Sequence, residues 1–190
     1  MELISTALVS VEETEEILQI PTSLRNRTIW CINAMSATAY RLAGRIFCER
    51  VNEEMYLEGY AGRSVIVPEF PLTEVSALYL DHTREFGLDT LVPPESYEID
   101  KDAGLIYLLD RLTPIGRRTI KLVATIGYTE VPADVKQATI EGVSWLLDRF
   151  NDHAIGVASI SSAEGINTAY ERYLPPSIKD VFRGYRVERV

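Results

Sequence analysis

The sequence contains two cysteines and two histidines, the side chains best suited to nucleophilic catalysis or zinc binding. Cys31 falls on the apolar stripe of a predicted helix, which indicates a buried structural thiol. Cys48 follows that helix, and no histidine or other base stands near it in the sequence to activate its thiol. His82 and His153 fall in predicted loops and lack the spacing of a zinc-binding pair. A small intracellular thiol enzyme or hydrolase that uses Cys48 with His82 or His153 remains an alternative interpretation.

Neighbouring carboxylates and glycines are the other candidates for chemistry. Acidic pairs at 12–13, 15–16 and 53–54 could in principle hold a metal ion, but first-turn positions and solvated helix faces are the commoner setting for such pairs. Gly59 and Gly62 are too few for a phosphate-binding loop, and a predicted strand follows them where such a loop needs a helix. We therefore predict no cofactor, no metal site and no catalytic residue.

Composition and charge limit the class of protein. With 190 residues, 46% of them hydrophobic, the chain can bury a core as one domain or as one domain with an insertion. It has no apolar run long enough to span a membrane, and its N-terminus lacks the basic segment of a signal peptide. Two cysteines are typical of a reducing compartment. The net charge of −9 argues against a nucleic-acid-binding protein, which needs a basic surface, yet it allows DNA to pass nearby without binding.

Capping signals and apolar periodicity predict two N-terminal helices. Ser10 and Glu13 form a capping box, and the helix that they begin should end before Pro21. A second helix is predicted from about residue 23 to residue 43, with Gly44 as its C-cap. Its core stripe consists of Leu24, Thr28, Cys31, Ile32, Met35, Ala39 and Leu42.

A third helix, from Pro132 to Phe150, has the widest apolar surface. Proline suits the first turn because its missing N–H would be unpaired there, and Asp134 suits the positive end of the helix dipole. The mainly apolar arc is about twice as wide as that of an ordinary surface helix, so this helix needs neighbours on more than one side. Its narrow polar strip consists of Gln137, Glu141, Ser144 and Asp148.

Between the second and third helices the hydrophobic period changes to two, which predicts strands. The clearest hairpin turns at Asp102, Ala103 and Gly104. The stretch from 81 to 95 contains two prolines and a glycine and is predicted to be an exposed loop. The strand candidates are at 55–57, 64–67, 74–80, 96–99, 105–109 and 119–126.

The C-terminal part is predicted to be a linker followed by a docking tail. The stretch at 156–165 is rich in Ser, Gly and Ala and predicts a flexible linker, and the basic tail from about 166 to 190 contains a short amphipathic segment at 176–185. Large apolar side chains after a linker either fold back onto the bundle or anchor an interface, and we favour the interface. The predicted docking residues are Tyr170, Tyr173, Leu174, Ile178, Val181, Phe182 and Tyr185.

The order of these parts resembles one known family. The N-terminal helix pair is followed by four motifs: EMYLEGYAGRSVIV at 54–67, PLTEVSAL at 71–78, SYEIDKDAGLI at 96–106 and GYTEVPADVKQA at 127–138. Over about residues 8–185 the chain resembles the head-tail connector, or adaptor, proteins of long-tailed bacteriophages. The resemblance implies a helical bundle with an inserted β-subdomain that assembles as a dodecameric ring beneath the portal.

The predicted fold class is accordingly α+β, with a helical bundle, an inserted small antiparallel β-subdomain and an extended C-terminal tail. The predicted boundaries are 1–48 for the N-terminal helices, 49–128 for the β-subdomain, 129–153 for the central bundle helix, and 154–190 for the linker and tail.

The predicted function is that of a structural virion protein, assembled in the host cytoplasm and lying in the neck between capsid and tail. Its expected partners are other copies of itself in a ring, the portal protein, and the next neck or tail-completion protein, with DNA passing through the channel without specific binding and no membrane association. A head-closure or tail-completion protein is an alternative, and so is an acidic intracellular scaffold unrelated to phage. The tail is predicted to dock on the portal. The residues predicted to lie at the subunit interface are Trp30, Arg41, Trp145 and Phe150.

Overall fold

The computed structural model describes residues 1–151, 159–161, 167–169 and 173–186. The chain forms two compact units, and the α+β class predicted from the sequence is confirmed. The helical unit consists of Met1–Phe47 and Val131–Val190, and the β unit consists of Cys48–Glu130. Among the described residues, no helix combines the length and apolar character needed to cross a bilayer.

The first two helices begin and end at the predicted signals. α1 spans Val11–Leu18, and the Ser10 hydroxyl oxygen accepts a hydrogen bond from the Glu13 N–H at 3.1 Å, which satisfies a donor that the first turn leaves unpaired. α2 spans Arg25–Ala43 and ends at Gly44, whose φ of 70° is the left-handed conformation of a helix C-cap.

The buried face of α2 is broader than the predicted stripe. Leu24 precedes the helix in a short 3₁₀ turn, and both Leu24 and Leu42 are half-buried. Ser36, which was not predicted, is fully buried, and its hydroxyl oxygen accepts a hydrogen bond from the Leu8 N–H at 3.2 Å, which offsets the cost of burying it. The buried residues of α2 are Thr28, Ile29, Cys31, Ile32, Met35, Ser36, Ala39 and Ala43.

The central element of the helical unit is α3, Ala133–Asn151, which packs against α1, α2 and a fourth helix, α4, at Pro176–Gly184. Neighbours on three sides are what the wide apolar arc predicted. Of the four predicted polar positions, 137, 141 and 148 are exposed and Ser144 is half-buried. The buried residues of α3 are Val135, Ala138, Thr139, Ile140, Gly142, Val143, Leu147 and Arg149.

The fourth helix contributes to the core of the helical unit. Phe182 has no exposed surface, and Ile178 is 3% exposed. The Tyr185 ring packs edge-on against Phe47 with centroids 5.4 Å apart, and its hydroxyl donates to the Asp134 carboxylate at 2.8 Å. This part of the tail therefore folds back onto the bundle, the arrangement that the sequence left as the alternative to docking.

The β unit contains two three-stranded antiparallel sheets, in the orders β1-β6-β3 and β2-β5-β4. Every strand candidate corresponds to an observed strand, and the predicted turn at 102–104 lies in the connection between β4 and β5. The strands β1 to β6 span Arg50–Gly59, Ser64–Ile66, Leu72–Leu80, Tyr97–Asp100, Leu105–Leu108 and Gly116–Ile126.

Both sheets contribute to one core. Inward-facing side chains of β6 alternate with outward-facing ones, as expected for a sheet with one buried face. In register, Lys121 of β6 lies between Tyr56 of β1 and Tyr79 of β3. The core residues are Val65, Val67, Leu72, Leu78, Val92, Tyr97, Ile106, Leu108, Ile120, Leu122, Ala124 and Ile126.

Two further short strands lie between α3 and α4, the first in the predicted linker and the second at the start of the predicted docking tail. β7, Ser159–Ser161, and β8, Asn167–Ala169, pair antiparallel, with Ile160 opposite Thr168. Each strand has three residues, too few for an alternating pattern to be recognised in the sequence.

The burial of α4 leads to a stability prediction. Phe182→Ala should lower the free energy of unfolding by about 3–5 kcal/mol, because truncating a fully buried phenylalanine leaves a cavity. Tyr173→Ala is the matched control, since it removes an aromatic ring that is 69% exposed just before the same helix, and it should change stability by less than about 0.5 kcal/mol. Urea unfolding followed by circular dichroism measures both values. Similar small effects for the two variants would contradict a core role for α4.

Candidate interaction surfaces

Cys31 is unsuited to catalysis by its environment. Its side chain lies on the buried face of α2 with no exposed surface. Burial disfavours the thiolate and raises the pKa of the Cys31 thiol to about 12. The thiol therefore stays protonated at neutral pH, as expected for the structural residue predicted from the sequence.

The alternative pairing of Cys48 with His82 does not form. Cys48 forms an isolated β-bridge with Tyr128, next to the end of the sheet where Arg50 pairs with Ile126. His82 lies just beyond the opposite end, where Leu80 pairs with Ile120. Along β6 these two ends are six residue steps apart, a distance of about 20 Å at about 3.3 Å per residue. A thiol and a base need hydrogen-bond contact, so these two side chains cannot act together. His153 lies outside the described residues.

The predicted acidic pairs are largely engaged in ion pairs. Arg25 binds both Glu12 and Glu15, with 2.8 Å to the Glu15 carboxylate. The hydrogen bond from Arg25 holds the pKa of Glu12 below its ordinary value. Glu53 pairs with Arg50 at 3.3 Å. Among the described residues, no group of three or more His, Cys, Asp or Glu side chains could hold a metal ion.

Gly59 has a packing role. A Cβ at this position would lie 1.9 Å from the Pro114 carbonyl oxygen, so only glycine allows the backbone this close approach. Gly62 has ample space, since the nearest atom to a Cβ there would be the Ser64 nitrogen at 3.9 Å. Gly59 therefore ends β1, and Gly62 lies in the connection between β1 and β2.

Two of the four predicted interface residues meet at the surface of the helical unit. The Trp30 ring, in a residue that is 43% exposed, packs edge-on against Phe150 with centroids 5.1 Å apart. A cavity of about 530 Å³ adjoins this pair, and its other lining residues are Met1, Asn26 and Arg27. We call Trp30, Phe150 and these three residues the aromatic patch.

The other two predicted interface residues lie elsewhere. Arg41 is exposed, about 16 Å further along α2 than Trp30 at the helical rise of about 1.5 Å per residue. Trp145 is half-buried, and the Arg149 guanidinium lies 5.2 Å from its ring centroid, a cation–π distance. The sequence predicted all four residues at the subunit interface without placing them on one surface, and among them the structure shows a ring contact between Trp30 and Phe150.

The predicted docking residues differ in their exposure. Ile178 and Phe182 are buried in the core, and Leu174, Val181 and Tyr185 are half-buried. Tyr173 is 69% exposed, with the Lys179 ammonium 5.8 Å from its ring centroid. Tyr170 lies outside the described residues. Among the docking candidates that the structure describes, Tyr173 has the most exposed side chain.

A basic surface of the β unit was not predicted from the sequence. Arg84, Phe86, Arg118 and Lys121 line a cavity of about 460 Å³ together with Tyr56 and Glu85. The Arg118 guanidinium lies 4.7 Å from the Tyr56 ring centroid, and the Phe86 ring lies 5.6 Å from the same ring. We call Tyr56, Arg84, Phe86, Arg118 and Lys121 the basic face. Its residues come from two strands and a loop that are far apart in the sequence, so only the pairing of the strands and the fold of the loop bring them together.

The loop that supplies Arg84 and Phe86 is organised by the buried carboxylate of Asp81. One Asp81 oxygen accepts hydrogen bonds from the Thr83 N–H and hydroxyl at 2.7 Å, and the other accepts from the N–H groups of Glu85 and Phe86 at 2.8 Å. These bonds, led by that from the Thr83 hydroxyl, lower the pKa of Asp81 to about 2. They also hold Arg84 and Phe86 at φ values of 68° and 53°.

Comparison with known proteins identifies one matching family and several solved structures of similar fold. A family model described as head completion protein matches residues 7–187. No curated protein matches the sequence. A chain in the neck of an empty GTA particle, computed with C6 symmetry, has a TM-score of 0.63 and 16% identity, covering 100% of this chain and 95% of that chain.

Two more solved structures share the fold. A chain in the virion of the native gene transfer agent (GTA) particle has a TM-score of 0.61 and 15% identity, covering 100% of this chain and 95% of that one. A chain in the neck of the native GTA particle, computed with C12 symmetry, has a TM-score of 0.56 and 17% identity, covering 100% and 97%. At such identities the likeness shows the fold alone.

The Asp81 network predicts a pH-dependent stability. Because the folded-state pKa of about 2 lies below the ordinary 3.8, the carboxylate stabilises the protein above that ordinary value, and this contribution is lost as the pH falls towards 2. In Asp81→Asn the amide nitrogen cannot accept the bonds from Glu85 and Phe86. We expect the variant to be less stable than the wild type at pH 7 and the difference to vanish near pH 2.

Chemical denaturation at pH 7, 4 and 2 measures this difference. Asp102→Asn, at the exposed hairpin turn, is the control and should match the wild type throughout. Hydrogen exchange at 83–86 should accelerate in Asp81→Asn alone. A stability difference that is the same at every pH would contradict the role of the ionised carboxylate.

Proposed function

The chain belongs to the head completion protein family, and from this we propose that it forms a ring below the portal that links the capsid vertex to the neck or tail and surrounds the DNA channel. The observation that carries the proposal is the family match over residues 7–187, which includes both units. The resemblance to phage head-tail connector proteins stated from the sequence is confirmed at the level of the family. The protein is accordingly a structural head-completion protein.

The ring is supported by the setting of the structural relatives. Two of them are chains of GTA necks computed with C6 and C12 symmetry. Twelve copies, as the family resemblance implied, would satisfy both symmetries. A cyclic ring requires heterologous contacts, in which two different surfaces of each copy meet. On the helical unit, the aromatic patch is one such surface, because an exposed tryptophan beside a cavity is a typical interface anchor.

Portal docking is assigned to the exposed start of the C-terminal helix. Tyr173 supplies an accessible aromatic ring, and Leu174 and Val181 are half-buried nearby in the sequence. Ile178 and Phe182, in contrast, stabilise the bundle through burial. A head-closure or tail-completion layer further from the portal is the alternative within the same class, and the position of labelled protein in electron micrographs of necks distinguishes the two.

Loss of the protein should leave filled heads without tails. Deleting its gene in the particle-producing strain should abolish joined particles, and the wild-type gene supplied in trans should restore them, as counted by electron microscopy. The triple variant Cys48→Ser, His82→Ala, His153→Ala should restore them equally, because the assembly role needs no thiol or imidazole. Normal numbers of joined particles after the deletion would contradict the proposed function. Failure of the folded triple variant alone would favour the thiol-enzyme alternative.

The purified protein should have no measurable affinity for DNA at about 0.15 M salt. Its net charge is −9, and a channel that bound phosphates through Lys and Arg would retain the genome by counterion release. Fluorescence anisotropy of a labelled duplex, repeated at about 0.05 M salt, measures this. Tight binding that weakens steeply with salt would contradict the proposed passive channel.

A further inference from the structure

We propose that the basic face of the β unit binds the oppositely placed acidic face of the β unit of a neighbouring copy. This inference rests on the proposed ring and identifies one of the contacts that would close it. The occupant of the cavity at Tyr56 and Arg118 is thus a second copy of this chain.

The basic face gathers positive charge in an acidic unit. In the β unit, acidic side chains outnumber basic ones by nearly two to one, yet Arg84, Arg118 and Lys121 line one cavity. Arg84 and Arg118 are exposed, and Tyr56, which is 39% exposed, supplies an aromatic surface beside Arg118. Cations beside aromatic rings can bind both a carboxylate and an apolar side chain.

The acidic face lies on the outer surface of the β2-β5-β4 sheet. In register, Tyr107 lies between Ser64 and Glu98, and Leu105 lies between Ile66 and Asp100. Ile66 is 69% exposed and Tyr107 is 41% exposed, and the Glu98 and Asp100 side chains are exposed beside them on the edge strand β4. We define the acidic face as Ile66, Glu98, Asp100, Leu105 and Tyr107.

The two faces point in opposite directions. The sheets share one core, so the outer face of the β1-β6-β3 sheet, which carries Tyr56 and Lys121, lies opposite the outer face of the β2-β5-β4 sheet, which carries Tyr107. Contact between such faces on successive copies is heterologous and head-to-tail, the arrangement that closes into a ring when the rotation permits. The basic face presents three cations and the acidic face two carboxylates, each beside apolar surface, so the pair is complementary in both respects.

A nucleic acid is the less suitable occupant of this cavity. Glu85 lines it, and Glu54 pairs with Lys121 at 3.0 Å and accepts a hydrogen bond from the Tyr56 hydroxyl, so the cations are already partly neutralised. A long polyanion would also meet the surrounding acidic side chains of the unit. Single carboxylates on a sheet edge, such as Glu98, can approach Arg84 and Arg118 without that repulsion.

Charge reversal tests the proposal in the full chain. Arg118→Glu or Glu98→Arg alone should weaken self-association on the order of tenfold or more, because each places like charges together. The double variant should restore association, since it exchanges the two charges across every contact. Arg183→Glu, an equal change of charge at an exposed position of α4, is the control and should have no effect. Sedimentation velocity over a concentration series measures association, and thermal unfolding verifies folding.

Cross-linking tests the contact directly, both in the purified protein at high concentration and in particles that contain it. Arg84→Cys with Tyr107→Cys, in a Cys48→Ser background, should give a ladder of covalent oligomers with a short bis-maleimide, and neither cysteine alone should do so. Cys31 does not interfere because it has no exposed surface.

The outcomes separate this inference from the proposed function. Joined particles that contain the protein, but give no ladder and are indifferent to the charge reversals, overturn the face-to-face contact and leave the connector role intact. Absence of the protein from particles overturns the connector role. The cross-linked ladder of the purified protein then tests the face-to-face contact by itself. Binding of a labelled duplex that Arg118→Glu abolishes would make the basic face a phosphate site and overturn the proposal.

Discussion

The alternation of side chains along β6 is the constraint on which the β unit depends. This strand pairs on both sides, with β1 and with β3, and its residues Ile120, Leu122, Ala124 and Ile126 have no exposed surface. A slip of one residue would turn this apolar set to the solvent, so burial fixes the register. The same register places Lys121 between Tyr56 and Tyr79 on the outer face, and the position of the basic face is therefore a consequence of the core.

The helical unit depends on its central helix, α3, which is apolar on most sides. α3 needs neighbours around most of its circumference, and α1 and α2 cover only part of it. The remaining side is covered by α4, whose Ile178 and Phe182 lie in the core. A nine-residue helix has little stability alone, so its packing on α2 and α3 is what keeps it folded. A partner of the helical unit must therefore use surfaces that this packing leaves exposed, such as Tyr173 and the aromatic patch.

Local signals in the sequence predicted most of the helices and strands. They were insufficient where the structure depends on contacts between residues that are distant in the sequence. Ser10 and Pro132 identified helix starts, because a cap and a first-turn proline act within a few residues. The same apolar spacing in 176–185 suits either docking or packing, and only the presence of an uncovered side on α3 distinguishes them. The basic face was missed because Arg84 and Phe86 reach it through a loop that the Asp81 carboxylate folds, an arrangement without a sequence pattern.

The proposed contact also explains how copies of a chain with a large negative net charge can associate with one another. Copies of a chain with a charge of −9 repel one another, but at physiological salt this repulsion is screened beyond about 8 Å, whereas opposite charges in contact are screened far less. Association of free copies would then be weak, because the local attraction works against a general repulsion and the loss of translational freedom. A partner that holds copies side by side raises their effective concentration and removes most of that loss. The proposed ring would therefore form more readily on such a partner than from free copies in solution.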